Sequence, residues 1–585
     1  MEENSNSIYL KKAKEAIEYV FHTEYHKSLG IPFPIIKLLL ADDPSYQSGM
    51  YYITIDQTWQ IHLNFGKLPV SYKEFQDEVK VLTRHEIEHY MCCPFDVITH
   101  LRMLKCIMNV YHAEFQDLEL DINSLCGSIA NQAADIIVDT INFQRHPKET
   151  VYSEINWIKK GANISMCPRH ARLMFLTKAA IWQKDLGIEE TDEELKHIVS
   201  DLAKLFLDGK IGNKSLFISK TEEYTRTFFR LYKKDQKEAQ ERQSEGNNSK
   251  GNGNQDSPTA SSGNGELNEP QEAGGNISNS AQSINHGKPK DGDKNGSALV
   301  FTDPDKIKQA IESFASETSI EEFVEIINIA GVSGLTEKEK EIIWFSAQSA
   351  NMIPIEEYSN RGSNNDYIYP STWKLGDPIE EIDMMLSFLS SPKFIPGVTT
   401  KKWEKSSTEI AGAERHQRDL LLVLDTSSSM GNVRNRQSNM FQSILAAFGI
   451  LNYFESINGK VALIGFSDRI TTRIEWTRDY DLIREEIVTN GNGGTKLPLQ
   501  AIRNILEISR NELVTVIITD GELGNRQETM DYFRNYLNDD NRLYLFVLGK
   551  RRTVIDYESL KNFGAKVYQA QTAQEFCEEV FADLN

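Results

Sequence analysis

The sequence predicts a multidomain chain. It begins with a mainly α domain carrying a small β-hairpin and ends in an α/β domain on a doubly wound parallel sheet. Three observations lead there. From Leu420 to Asn585, apolar runs such as Leu420–Leu424 and Val514–Ile518 alternate with helical patterns, as parallel strands covered on both faces do. Residues 8–233 carry mostly helical periodicity. Between these regions, Lys234 to Ala298 contains no aromatic residue and is rich in Gly, Asn, Ser, Gln and charged residues, too little apolar surface to order itself.

Four segments follow: 1–233, a disordered linker at 234–299, a helical connecting region at 300–417, and 418–585. In the first, Tyr51–Ile55 and Trp59–Asn64 alternate like the two strands of a hairpin. Tyr72 to His89 reads as a helix, with Phe75, Val79, Leu82, Ile87 and Tyr90 on its apolar face and Pro94 ending it. As a coil of roughly 65 residues, the linker spans on the order of 45 Å. Ile307–Phe314 and Ile320–Ile329 resume helical patterning. The expected strands of the last segment are 420–425, 461–467, 513–519, 543–549 and 566–569.

At 585 residues the chain is long enough for several cores. Its net charge of −21 disfavours nucleic acid and acidic membranes as partners. The acidic, polar start is unlike a signal peptide, and no apolar run approaches the length of a membrane span. Six cysteines without a CxxC pair argue against a disulfide framework and fit a reducing cytoplasm.

Two constellations carry chemistry. In the C-terminal segment the strand Leu420–Leu424 runs into Asp425, and Ser427 and Ser429 follow. Thr495 lies in a Gly-Gly-Thr loop before the helix that starts near Pro498, and Asp520 ends another apolar strand. Carboxylates and hydroxyls are hard oxygen donors suited to Mg²⁺, and the ends of such strands form a ligand crevice. Asp479 and Asp481 have no such placement and read as helix-start residues.

This C-terminal set resembles the von Willebrand factor A (VWA) domain, a Rossmann-like fold, and its metal-ion-dependent adhesion site, Asp-x-Ser-x-Ser then Thr then Asp. All five positions match, over about residues 418–585. The resemblance implies that Ser427, Ser429 and Thr495 bind Mg²⁺ directly. Asp425 and Asp520 act directly or through water, and a protein partner's acidic side chain completes the octahedron. That is a docking module for protein–protein interaction rather than a catalyst.

In the N-terminal segment His85-Glu86-Ile87-Glu88-His89 is an HExxH motif. On a helix, residues four apart share a face, so both imidazoles can reach one Zn²⁺, with Glu86 placed as general base. A third ligand is needed. The extended metzincin motif does not supply it, because Cys92 and Phe95 stand where its glycine and third histidine would be. Asp135 and Asp139, four apart in the helical segment Asn131–Asp139, can divide the work. Asp135 binds zinc and Asp139 accepts a hydrogen bond from a ligand histidine. His100, His112 and His146 are rival ligands; Tyr90, His112 and Arg145 are candidates to stabilise an oxyanion.

The arrangement resembles the Glu-x-x-x-Asp helix of gluzincins, hence a zincin-like domain. It is closer to bacterial metallopeptidases with HExxH, then Asn-x-Ala-x-Asp, then a C-terminal VWA-like domain. Asn131, Ala133 and Asp135 match the second motif; Asp139 stands where that family carries asparagine. The resemblance implies a zinc hydrolase associated with MoxR-type AAA+ ATPases. A non-catalytic adaptor of such an ATPase, with a structural HExxH domain, is the alternative. The chain itself has no GxxxxGK[ST] phosphate loop.

Overall fold

The computed structural model describes residues 2–25, 35–40, 51–55, 59–65, 71–94, 96–118, 120–160, 164–248, 304–330, 335–350, 352, 365–374, 382–390, 395–396, 399–407, 418–488, 493–507, 512–537, 542–548, 554–570 and 572–584. The expected disordered linker, 234–299, is corrected at its start: residues 234–248 continue the helix Phe217–Asn248, whose run of Lys, Glu, Gln and Arg favours helix without needing apolar burial, and 249–299 lie outside the described residues. The chain divides into two compact units, Met1–Ala347 and Gln348–Asn585.

The first unit is mainly helical. Its helices are α1 (Glu2–Tyr19), α2 (Tyr72–Met91), α3 (Val97–Glu114), α4 (Ile122–Arg145), α5 (Pro147–Lys160), α6 (Arg169–Trp182), α7 (Glu193–Leu207), α8 (Phe217–Asn248), α9 (Pro304–Ser316) and α10 (Ile320–Ile329). Strands β1 (Ile35–Leu40), β2 (Tyr51–Ile55) and β3 (Trp59–Phe65) form a sheet in the order β1-β3-β2. The expected hairpin is its antiparallel β2–β3 pair, and β1 adds in parallel to β3.

Helix α2 starts where the Ser71 hydroxyl accepts from the Glu74 N–H at 3.4 Å, and it buries Phe75, Val79 and Ile87. Helix α4 is the hub, with α2, α3, α5, α6 and α8 packed on it. Ala133–Thr140 is buried on every side, so a carboxylate there is under pressure to find a cation or a donor. Helices α9 and α10 lie on α3, where Arg102 Nε donates to Glu317 Oε2 at 3.0 Å.

The second unit holds an α/β domain. Its sheet comprises β6 (Arg418–Asp425), β7 (Val461–Phe466), β8 (Ile470–Thr477), β9 (Glu512–Thr519), β10 (Arg542–Leu548) and β11 (Lys566–Ala570), in the order β11-β10-β9-β6-β7-β8. The five expected strands are present and mutually parallel. The sheet is nevertheless mixed rather than wholly parallel, because β8 pairs antiparallel to β7. Three residues, Ser467–Arg469, join β7 to β8, enough for a hairpin but too few for a crossover helix.

Leu421, Val423, Ala462, Ile464 and Ile517 pack on one side with Ile502 and Ile505. The helix Asn439–Ser456 packs on β6 and on the terminal helix Ala573–Leu584. The chain leaves β6 for β7 on one side and later returns to β9 on the other, so the topological switch point lies between β6 and β9. A two-stranded antiparallel ribbon, β4 (Asn365–Thr372) with β5 (Lys401–Ser407), completes the described strands of this unit.

Candidate metal centres

Helices α2 and α4 bring three donors to one point. His85 Nε2 and His89 Nε2 lie 3.0 Å apart. Asp135 Oδ1 lies 3.1 Å from His89 Nε2 and 3.5 Å from His85 Nε2. Among the described residues, these three side chains are a group able to hold a metal ion. Asp135 Oδ1 is buried without a hydrogen-bond partner among the described residues, while its other oxygen accepts from Asn131 Nδ2 at 2.9 Å. A carboxylate oxygen without a donor facing two imidazole nitrogens is a donor set able to hold a cation.

The outer partners fix both rings. His85 Nδ1 meets Asp139 Oδ1 at 2.6 Å, and His89 Nδ1 meets the carbonyl of Cys93 at 2.8 Å. Each ring thus has its Nδ1 engaged and its Nε2 turned toward the other ligands. Burial lowers the basicity of His85, but Asp139, Asp135 and Glu86 outweigh it and push the ring up to about 10. Burial alone would raise Asp139; Lys178 and His85 instead hold it well below the ordinary carboxylate range. Glu86 goes the other way, raised by burial beyond what the two histidines offset. Its Oε2 is buried with no hydrogen-bond partner among the described residues.

The adjoining face of α2, about 100° round from the histidines, is an anchor. Arg84 donates twice to Glu24 at 2.7 Å and also pairs with Glu149. Glu88 accepts from the Tyr25 hydroxyl at 2.6 Å and pairs with Arg145. That engagement ties Arg145 to Glu88 rather than to a reacting oxyanion. His112 lies at the end of α3 beside Gln116, and His146 stands 3.8 Å from Glu24. Neither these two nor His100 belongs to the ligand group. The side chain of Tyr90 falls outside the described set.

Lys178 and Glu154 are the residues the sequence did not reveal. Lys178 Nζ reaches Asp139 Oδ2 at 2.6 Å and Glu154 Oε1 at 2.9 Å. The one hint was a lysine as the only charged residue of Leu173–Trp182.

The second centre sits at the switch point. Asp425 Oδ1 accepts from the Ser427 N–H at 2.9 Å, and Oδ2 accepts from the Thr519 hydroxyl at 2.6 Å. The Ser427 and Ser429 hydroxyls are 3.0 Å apart. Backbone groups stitch three loops into one rim: Ser428 N–H donates to the Gly493 carbonyl at 3.3 Å, Gly493 N–H to Ser428 Oγ at 3.0 Å, and Gly524 N–H to the Thr495 carbonyl at 2.8 Å. Asp425, Ser427 and Ser429 thus meet at that rim, the Thr495 loop is tied in through its carbonyl, and Asp520, which follows β9, adds its charge to that of Asp425. Burial raises the Asp425 carboxyl, opposed by the bonds from Thr519 and Ser427. Gly493 has φ of +112°, and a Cβ there would stand 2.8 Å from Asp468 Oδ1, so this turn requires glycine. Asp468, in the β7–β8 link, is a rim residue the sequence did not mark. Asp479 caps its helix, accepting from Leu482 N–H at 3.1 Å, and is no part of the rim.

Residues 420–522 match the model of the von Willebrand factor type A domain. The C-terminal unit therefore contains a VWA-type α/β domain, a module that supports a role in protein–protein interaction. No curated protein matches the chain. A solved structure similar to part of it is an aerotolerance-related membrane protein from Bacteroides fragilis NCTC 9343 with multiple mutations to serines. That likeness has 15% identity and a TM-score of 0.24, and covers 28% of this chain and 98% of that one. Among the described residues, no helix is long and apolar enough to cross a membrane.

Proposed function

We propose that the first unit is a zinc-dependent peptidase and that the VWA domain docks a protein partner or substrate through Mg²⁺. The observation that carries the first half is the triangle of His85 Nε2, His89 Nε2 and Asp135 Oδ1, with the unpartnered Glu86 carboxylate beside it. Its edges of 3.0, 3.1 and 3.5 Å suit three arms of a tetrahedral zinc site, whose donors sit about 3.3 Å apart at bond lengths of roughly 2.0–2.1 Å. Bound there, Zn²⁺ would supply a Lewis acid that polarises a carbonyl and acidifies water.

The chain's own residues do the rest. Glu86, whose Oε2 has no hydrogen-bond partner among the described residues and whose carboxyl is raised by burial, is suited to take a proton from water and return it to the leaving amine. Asp139 and the Cys93 carbonyl hold the rings against rotation. The His85 side chain is 21% exposed, so a substrate approaches from its side. The ligand assigned to Asp135, and the supporting role assigned to Asp139, follow from the bare oxygen of the former and the two partners of the latter.

For the VWA domain, Ser427, Ser429 and Thr495 offer hydroxyls to Mg²⁺, with Asp425 and Asp520 behind them. An acidic side chain of the partner takes the open position. A MoxR-type AAA+ ATPase in the cytoplasm is the partner that the sequence resemblance favours.

Elemental analysis should find one zinc per chain. Glu86→Gln should keep that zinc while peptide cleavage falls by about 10²- to 10⁴-fold. A protein that takes up no zinc would sink the reading. Stoichiometric zinc with no cleavage even beside an ATPase partner would leave the adaptor.

A further inference from the structure

The two aspartates of α4 are one turn apart and both face His85, at 3.5 Å from Nε2 for Asp135 and 2.6 Å from Nδ1 for Asp139. Their surroundings differ. Asp139 has both oxygens engaged, one by His85 and one by Lys178 at 2.6 Å. Asp135 keeps one oxygen bare. Lys178 comes from α6, its side chain is 4% exposed, and Glu154 of α5 holds its ammonium from a second side at 2.9 Å.

A buried ion network of this kind is seldom the most stabilising way to fill a core, where apolar residues of similar volume do as well or better. Its value here lies in where it leads. The ammonium fixes the Asp139 carboxylate, and the carboxylate fixes the His85 ring. Without Lys178, Asp139 would be free to turn, release Nδ1 and offer an oxygen of its own.

We propose that Lys178 is a positioning residue that decides which aspartate serves as the metal ligand. It saturates Asp139, which stays a hydrogen-bond acceptor for His85, and so leaves Asp135 as the carboxylate donor. Helices α5 and α6 thereby set the geometry of a centre whose ligands all lie on α2 and α4. This rests on the metal-centre reading above.

The test uses the full chain, stripped of metal and titrated with Zn²⁺, then with Co²⁺ as a spectroscopic probe. Lys178→Met should weaken Zn²⁺ binding by about 10- to 100-fold, the range for loss of an outer partner of a ligand histidine. It should also change the Co²⁺ ligand-field spectrum as Asp139 competes for the metal. Asp139→Asn should weaken binding similarly, and adding Lys178→Met to it should cost little more, because the lysine acts through that carboxylate.

Lys340→Met is the control. Lys340 is also buried and donates to Glu337 at 2.8 Å, a contact with no ligand and no partner of a ligand, so its loss should lower Tm and leave affinity and spectrum unchanged. If Lys178→Met does not fold, Lys178→Met with Glu154→Gln removes one charge of each sign and carries the same test. Wild-type affinity and spectrum in the folded Lys178 variant would overturn the inference with the metal centre intact. A wild-type chain that binds neither ion would instead overturn the centre itself.

Discussion

The two centres are built on opposite plans. In the helical unit, donors come from the C-terminal half of α2 and the middle of α4, and each is braced by a neighbouring group: Asp139, the Cys93 carbonyl and Asn131. In the VWA domain the donors sit on loops at strand ends, and the bracing is mostly backbone, as where Gly493 and Gly524 tie neighbouring loops. The first set mixes imidazole with carboxylate, a choice that suits zinc; the second is oxygen throughout, which suits Mg²⁺. Bracing by side chains makes a centre that depends on distant residues. Bracing by backbone makes one that depends on loop conformation and leaves an outward-facing position for another molecule.

The largest expected effect is a double dissociation. His89→Ala should remove all zinc and leave the Mg²⁺-induced rise in Tm of the VWA domain unchanged. Asp425→Ala should do the reverse, read by elemental analysis and thermal melts of the same samples. Loss of both metals in either variant would break the contrast.

Next is Arg84→Met, which strips the buried partner of Glu24 while touching no ligand. The cost should be about 3–5 kcal/mol, measured by urea unfolding, with zinc stoichiometry retained in the folded fraction.

A smaller effect concerns acidity. The folded, metal-free VWA domain holds the Asp425 proton more tightly than the unfolded chain, because burial raises this carboxyl. That contribution is whole below the unfolded value of about 3.9 and is lost as pH rises through the raised folded value. In EDTA, Tm should therefore fall across that window more for wild type than for Asp425→Asn. Mg²⁺ at neutral pH should restore it only in wild type. Equal Mg²⁺ shifts in the two proteins would remove Asp425 from the centre.

The smallest is Lys204→Ala. Its partner Asp201 is fully solvated, and differential scanning calorimetry should show no resolvable change.

Much of this was legible in the chain. Leu420–Leu424 announced a central strand because β6 is covered on both faces and needs no polar alternation. The i, i+4 spacing placed His85 and His89 on one side of α2 because helix geometry is local. What escaped was non-local or weakly patterned. Strand β8 lies at the sheet edge, and of Ile470–Thr477 only Thr472 is fully buried, so no sustained alternation marks it. Lys178 lies 39 residues from Asp139, and a lysine in an apolar run does not say which carboxylate it will meet. Asp468 is revealed only by the turn at Gly493 folding against it. The five residues proposed as oxygen donors were readable as candidates because each ends or follows a recognisable strand or precedes a helix.

The engagement of adjoining faces of α2 has a consequence for how this segment can vary. From Arg84 to His89, Arg84 and Glu88 anchor the helix, Ile87 fills the core at 1% exposure, and the remaining three belong to the candidate metal centre. Six successive positions therefore carry six separate requirements with no spare between them. A saturation library across this stretch should return almost nothing but the starting sequence. The same library across Glu193–Lys196, at the solvent-facing start of α7, should tolerate most substitutions except at Leu195, which is fully buried.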